Sequence, residues 1–149
     1  MTIEIRKATE ADLPAILNLY SQPELDDGLK PSMAQAKVLF ERIHNYPNYH
    51  LYVAELSSSV VGTFALLIMD NLLHLGRPSG IVEAVAVDPA CQGQGIGKAM
   101  MQFALEQCRQ AHCYKLALST NLKRKDAHAF YESLGFTKHG FSYVVDLTA

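Results

Sequence analysis

An apolar strand that runs straight into a glycine-rich turn and then a helix constrains this chain more than any other stretch. It reads Ile81-Val82-Glu83-Ala84-Val85-Ala86-Val87-Asp88-Pro89, then Ala90-Cys91, then Gln92-Gly93-Gln94-Gly95-Ile96-Gly97-Lys98-Ala99-Met100. Alternating glycines at a helix start let a ligand approach the backbone with no Cβ in the way. The first helical turn adds unpaired N–H groups and the positive end of the dipole, so an anion is the natural guest. The pattern predicts a pyrophosphate site; the bland alternative is a tight strand-to-helix turn without a ligand.

Spacing excludes two familiar pyrophosphate loops. A dinucleotide fingerprint needs G-x-G-x-x-G, but after Gly93 and Gly95 the third glycine, Gly97, comes one residue early and Lys98 stands in its place. A P-loop needs G-x-x-x-x-G-K-[ST]; here Gln92 replaces the first glycine and Ala99 the magnesium-binding hydroxyl. What remains, Gln92-x-x-Gly95-x-Gly97, resembles the [Q/R]-x-x-G-x-[G/A] signature of the GCN5-related N-acetyltransferases. The resemblance implies acetyl-CoA as cosubstrate.

Bulk properties narrow the classes. The chain has 149 residues, 49% of them hydrophobic and 19% charged, a length that suits one domain with a real core. A formal charge of −2 gives no electrostatic case for nucleic acid or an anionic membrane surface. The start lacks a basic n-region and an apolar h-region, and no apolar run approaches a membrane span. Cys91, Cys108 and Cys113 lack metal-ligand spacing and fit reduced thiols. The expectations are a cytoplasmic enzyme, no metal, no nucleic acid and no membrane.

Periodicity supplies the element order. Ile3 and Ile5 alternate with Glu4 and Arg6 as in a half-buried strand over 3–8. Thr9-Glu10-Ala11-Asp12 resembles a capping box opening a helix with Leu13, Ile16, Leu17 and Tyr20 on one face. A loop spans 21–31 and a second helix 32–46. Strands at 50–56 and 60–69 form a hairpin around Ser57-Ser58-Ser59. The key strand covers 80–88, a long helix 95–111, a strand 114–119 and a helix 125–134 capped by Gly135, with strands over 136–147. The order β-α-α-β-β-β-α-β-α-β predicts a mixed α/β fold, and the acetyltransferase family shares it. The expectation is a single N-acetyltransferase domain over 1–149, its sheet of six or seven strands covered by helices on both faces.

A second segment strengthens the resemblance. Residues 121–136 carry Asn-x-x-[R/K]-x-x-A-x-x-F-Y-x-x-x-G-F, similar to the family's downstream motif. The run from Ser119 to Tyr131 is especially similar to the aminoalkylphosphonate N-acetyltransferases within it. Ala127, Phe130, Tyr131 and Leu134 share one helical face, so periodicity alone reads Tyr131 as core. The resemblance instead implies a general acid that protonates the departing thiolate, a task suited to a phenol of pKa about 10.

Glu83 shares a strand face with Ile81, Val85 and Val87, where an unpaired carboxylate is expensive. Either it is a working group or the start of the strand is wet. Relatives commonly place a general base here, so the resemblance implies that role for Glu83. It further implies that Val85, Ala86 and Val87 pair with the pantetheine arm as a pseudo-strand. Gln92, Gly93, Gln94, Gly95, Ile96, Gly97 and Lys98 would cradle the pyrophosphate, and Asn121 and Phe130 would contact the coenzyme. Lys98, Lys123, Arg124 and Lys125 would meet phosphate or only water. His74 would line an acceptor pocket or lie exposed, and Cys91 reads as incidental.

The implied activity is acetyl transfer by direct attack of a primary amine, the acceptor being a small molecule. The alternatives are a protein lysine or N-terminal acetyltransferase and a non-catalytic acetyl-CoA-binding module. A homodimer stays open beside a monomer.

Overall fold

The computed structural model describes residues 2–148. The chain divides into two compact units, the first ending at Ala117 and the second beginning at Leu118.

In the first unit β1 (Ile3–Lys7) leads to α1 (Leu13–Tyr20) and α2 (Met33–His44), followed by β2 (Tyr49–Leu56), β3 (Ser59–Met69), β4 (Ser79–Val87), α3 (Ile96–Gln110) and β5 (Lys115–Ala117). The strands form one sheet in the order β1-β2-β3-β4-β5. The first four are antiparallel neighbours, and β5 pairs parallel with β4. The β2–β3 turn opposes Leu56 to Ser59 with Ser57 at φ 51° and Ser58 at φ 65°, the positive pair that a two-residue hairpin needs to match strand twist.

Alternation along β2 sends successive side chains to opposite faces. Val53 joins Leu13, Ile16, Leu17, Ala36 and Phe40 of α1 and α2 in one buried cluster, and the half-buried Leu51 packs against it. Tyr52 turns the other way, stacking on Phe64 at 5.2 Å and meeting Phe103 of α3 edge-on at 5.0 Å. Helices therefore cover both faces. Phe64, Met100, Met101 and Ala104 are fully enclosed, and each large apolar side chain so buried contributes about 1.5–3 kcal/mol.

Asp12 fixes the entry to α1. Its carboxylate accepts from the Thr9 N–H at 2.7 Å and from both ends of the Arg6 guanidinium at 2.7 and 2.8 Å. Hydrogen bonding to Arg6 holds its pKa down at about 2. The predicted capping box thus forms with Asp in place of Glu.

The second unit contains α4 (Lys125–Ser133), ended by Gly135 at φ 95°, whose N–H donates to the Glu132 carbonyl at 3.1 Å. Ala127, Phe130 and Tyr131 of the predicted face are half-buried, as are His128 and the C-cap Leu134. The strands expected over 136–147 are absent among the described residues, so the sheet has five strands and not six or seven. Phe141, Tyr143, Val144, Val145 and Leu147 are 80–91% exposed. Their β-branched and aromatic pattern expresses a preference for a packed, paired surface, and no ladder partner meets it here.

Candidate active site

The site in the first unit is made by β4 changing its partners. Ser79, Gly80 and Ile81 pair with Lys115, Leu116 and Ala117 of β5, and the pairing stops there. From Val82 to Val87 the edge of β4 that faced β5 is without a strand partner among the described residues. Backbone groups on such an edge are a template for an extended ligand.

Within that half a β-bulge re-aims the chain. On β3, Thr63 opposes Ala86 and Ala65 opposes Glu83, so Ala84 and Val85 stand against Phe64 alone. Ala84 lies at φ 53°, a left-handed backbone costing a non-glycine residue about 1–2 kcal/mol. Strain of this kind persists only where neighbours hold it. Two side chains from the end of α1 do so. The Tyr20 hydroxyl donates to the Ala84 carbonyl at 2.9 Å, and the Gln22 amide donates to the Val87 carbonyl at 3.0 Å.

The bulge alters the expectation for Glu83. One extra residue reverses the alternation, so the apolar face drawn through Ile81, Val85 and Val87 is broken. Glu83 is exposed, while Val82 and Ala86 are buried. Glu83 thus faces solvent, as one of its two readings had it, but from the middle of β4 and not from the start of the strand. Its charge still acts locally: burial first, and then the Glu83 carboxylate, push the Tyr49 phenol above its ordinary pKa.

Beyond β4 the turn has the predicted form. Asp88 Oδ1 accepts from the Ala90 N–H at 2.9 Å and bends the chain at Pro89. Gly93 sits at φ 80° and Gly95, the N-cap of α3, at φ 83°. A Cβ built on either would have nothing within 4 Å, so the backbone lies open over both. The N-cap supplies no side-chain hydrogen bond, and the first-turn amides of Ile96, Gly97 and Lys98 are left for another partner. Gln92, Gly93, Gln94 and Lys98 are exposed and Ile96 is buried beneath them. The edge of β4 and this bare turn together offer backbone groups to an extended ligand with an anionic group. Cys91 is half-buried in the turn.

In the second unit, Asn121 precedes α4 in a local turn and not at the end of a strand, because β5 stops at Ala117. Its Oδ1 accepts from the Lys123 N–H at 2.8 Å, and its carbonyl lies 2.8 Å from His128 Nε2. Its side-chain oxygen is thus engaged in shaping the entry to α4. Tyr131 packs edge-on against Phe130 at 5.1 Å and Phe136 at 5.7 Å. Burial raises its phenol pKa, with the Arg124 charge opposing, so it keeps its proton at neutral pH. Lys123, Arg124 and Lys125 are exposed.

His74, read as lining an acceptor pocket or lying exposed, is exposed and stacks on Tyr114 with centroids 3.7 Å apart. Sequence reasoning missed Tyr20, Gln22 and Tyr49. Tyr20 looked like the last core residue of a helical stripe, and only its hydroxyl hinted that the stripe ended at a polar partner. A recess of about 280 Å³ lined by Lys7, His50, Gln107 and Gln110 sits at the far end of α3 and holds none of the predicted site residues.

Comparison with known proteins bears on the family and the fold. The model of a family described as "Acetyltransferase (GNAT) family" matches residues 13–136. An aminoalkylphosphonate N-acetyltransferase of Salmonella typhimurium is 37% identical over 148 residues, covering 94% of this chain and 88% of its own length. A glucosamine 6-phosphate N-acetyltransferase of Trypanosoma brucei brucei is 38% identical over 88 residues, covering 59% of this chain and 58% of its own. Among solved structures, a proposed acetyltransferase from Agrobacterium tumefaciens str. C58 superposes with a TM-score of 0.89 at 31% identity, covering 96% of this chain and 99% of that one.

Proposed function

The chain belongs to the acetyltransferase (GNAT) family, and from that premise we propose that it moves the acetyl group of acetyl-CoA directly to the primary amine of a small molecule bearing a phosphoryl or phosphonyl group. The observation that carries the reading is the half of β4 from Val82 to Val87, bulged, unpaired toward β5, and continued into a bare glycine turn. The family match runs across the boundary at Ala117, and we take both units as parts of one N-acetyltransferase domain.

Each residue has a role in this reading. Val85, Ala86 and Val87 offer backbone groups to the pantetheine arm, and the amides from Gln92 to Lys98 take the pyrophosphate. The Val85 N–H polarises the thioester carbonyl, a donor aimed where negative charge develops. A primary amine with pKa near that of lysine, about 10, is almost wholly protonated at neutral pH, so a proton must leave before attack; Glu83, directly or through water, accepts it. Tyr131, held in its protonated form, donates to the departing thiolate. Asn121 and Phe130 contact the coenzyme.

The acceptor class draws on what the two relatives are named for. An aminoalkylphosphonate and glucosamine 6-phosphate both join a primary amine to an anionic phosphorus group. Lys123, Arg124 and Lys125 are exposed charges suited to such a group. The test is a panel of amines with acetyl-CoA, reading thiol release. A phosphonate-bearing amine should outrun its uncharged analogue, with the advantage shrinking as salt screens the cluster. Tyr131→Phe should lower turnover about 10²-fold with coenzyme affinity kept. Efficient acetylation of a protein lysine beside an inert small-amine panel overturns the acceptor; coenzyme binding with no amine turned over leaves only a binding module.

A further inference from the structure

We propose that Tyr20 is a positioning residue for acetyl transfer: its hydroxyl, hydrogen-bonded to the Ala84 carbonyl, orients the peptide plane whose other end is the Val85 N–H. The inference rests on the acetyl-transfer reading above and assigns a role to a residue of α1 that this reading does not use.

Peptide geometry carries the argument. The Ala84 carbonyl and the Val85 N–H belong to one peptide group, which is planar and trans; the described chain has no cis peptide bond. The two bonds therefore point in opposite directions. Holding the carbonyl toward Tyr20 at 2.9 Å aims the N–H away from α1. An oxyanion donor acts through fixed direction, because a donor that must reorient during the reaction loses most of its effect.

The plane is also one that would move without help. Among the described residues Ala84 is the only one inside a strand with positive φ (53°), and the β3 ladder skips the bulge, resuming at Glu83 and Ala86. The neighbouring Val87–Asp88 peptide is tied at both ends, its carbonyl by Gln22 at 3.0 Å and its N–H by the Val61 carbonyl at 2.8 Å. Tyr20 supplies the corresponding tie on the carbonyl side three peptides earlier in β4. Burial pushes its phenol up to about 12, with the Thr63 hydroxyl beside it opposing and the Tyr49 phenol adding to the rise. The group stays a donor throughout the working range.

The experiment compares coenzyme A with a ketone analogue of acetyl-CoA in which a methylene separates sulfur from the acetyl carbonyl. In Tyr20→Phe, which keeps the ring, kcat should fall at least tenfold and affinity for the ketone analogue should fall in step. Affinity for coenzyme A should change less than twofold. The ¹³C shift of the bound carbonyl should move toward its value in water. Ala84→Gly, which frees the same plane by relieving strain, should show the same selective loss and serves if the tyrosine variant does not fold. Wild-type kcat in Tyr20→Phe, or equal loss of both ligands, overturns the inference while the proposed function stands. A wild-type protein that binds neither ligand overturns both.

Discussion

Two pairs of glycines occupy opposite kinds of place in the first unit. Gly62 and Gly80 lie in β3 and β4 beneath α3, where an added Cβ would press on Met100 Sδ at 2.9 Å and Ile96 Cγ2 at 3.0 Å, or on Cys108 Sγ and Leu116 Cδ1. Gly93 and Gly95 stand in the turn before α3, where a Cβ would meet nothing within 4 Å, yet both have φ near +80°. The first pair is glycine because there is no room, the second because of conformation. The turn glycines leave their backbone open at a conformation that glycine adopts freely, so substitutions should separate fold from function along this line.

The largest effect should come from Gly80→Val. Cys108 Sγ is one bond from its own Cβ and cannot swing aside like the end of a long side chain, and the Lys115 carbonyl at 3.6 Å closes another direction. Overpacking in a filled core costs about 1–3 kcal/mol and more where backbone must move, and we expect about 3 kcal/mol by urea denaturation. A cost below about 1 kcal/mol would mean that the α3 interface has slack and that the packing half of the comparison is wrong.

Gly95→Glu should reverse the pattern. Its folding cost is the left-handed backbone, about 1–2 kcal/mol, with no clash to add. Its effect on acetyl-CoA should be larger, at least about 10²-fold in affinity or roughly 2.7 kcal/mol, because bulk and like charge enter the space proposed for pyrophosphate. Calorimetry showing unchanged affinity would remove the turn from the binding site and leave the bland reading of these glycines.

The same division explains what was legible in the sequence. The turn, α1, α2, α3 and the β2–β3 hairpin follow from signals within a few residues: glycine spacing, a capping box, a 3.6-residue stripe, a serine pair. The family resemblance added roles that periodicity could not, as for Tyr131, which the helical stripe alone reads as core. The bulge at Ala84 was not legible, since it exists only in the register of β4 against β3, and without it Glu83 was placed on an unbroken apolar face. Tyr20 was hidden because its ring obeys the stripe while its hydroxyl answers to a carbonyl 64 positions away. The strands expected over 136–147 failed for the opposite reason: a local pattern was present and a pairing partner was not.

Gly62→Ala gives the smallest effect and tests whether the two classes of glycine are independent. The new methyl meets Met100 Sδ, a thioether on a flexible stem that can shift by a few tenths of an ångström, and Ala54 Cβ at an ordinary 3.4 Å. The stability cost should therefore stay near 1 kcal/mol, the low end for overpacking. Ile96 is the harder neighbour, because it is the first residue of α3, buried directly after the Gly95 N-cap. Pressure on it reaches the start of the proposed cradle. If packing and access are separate, Gly62→Ala should lower the urea midpoint while acetyl-CoA affinity changes less than about twofold, well under 1 kcal/mol. A tenfold loss of affinity at that modest stability cost would mean that Ile96 transmits core packing to the turn and that the division between the two pairs does not hold.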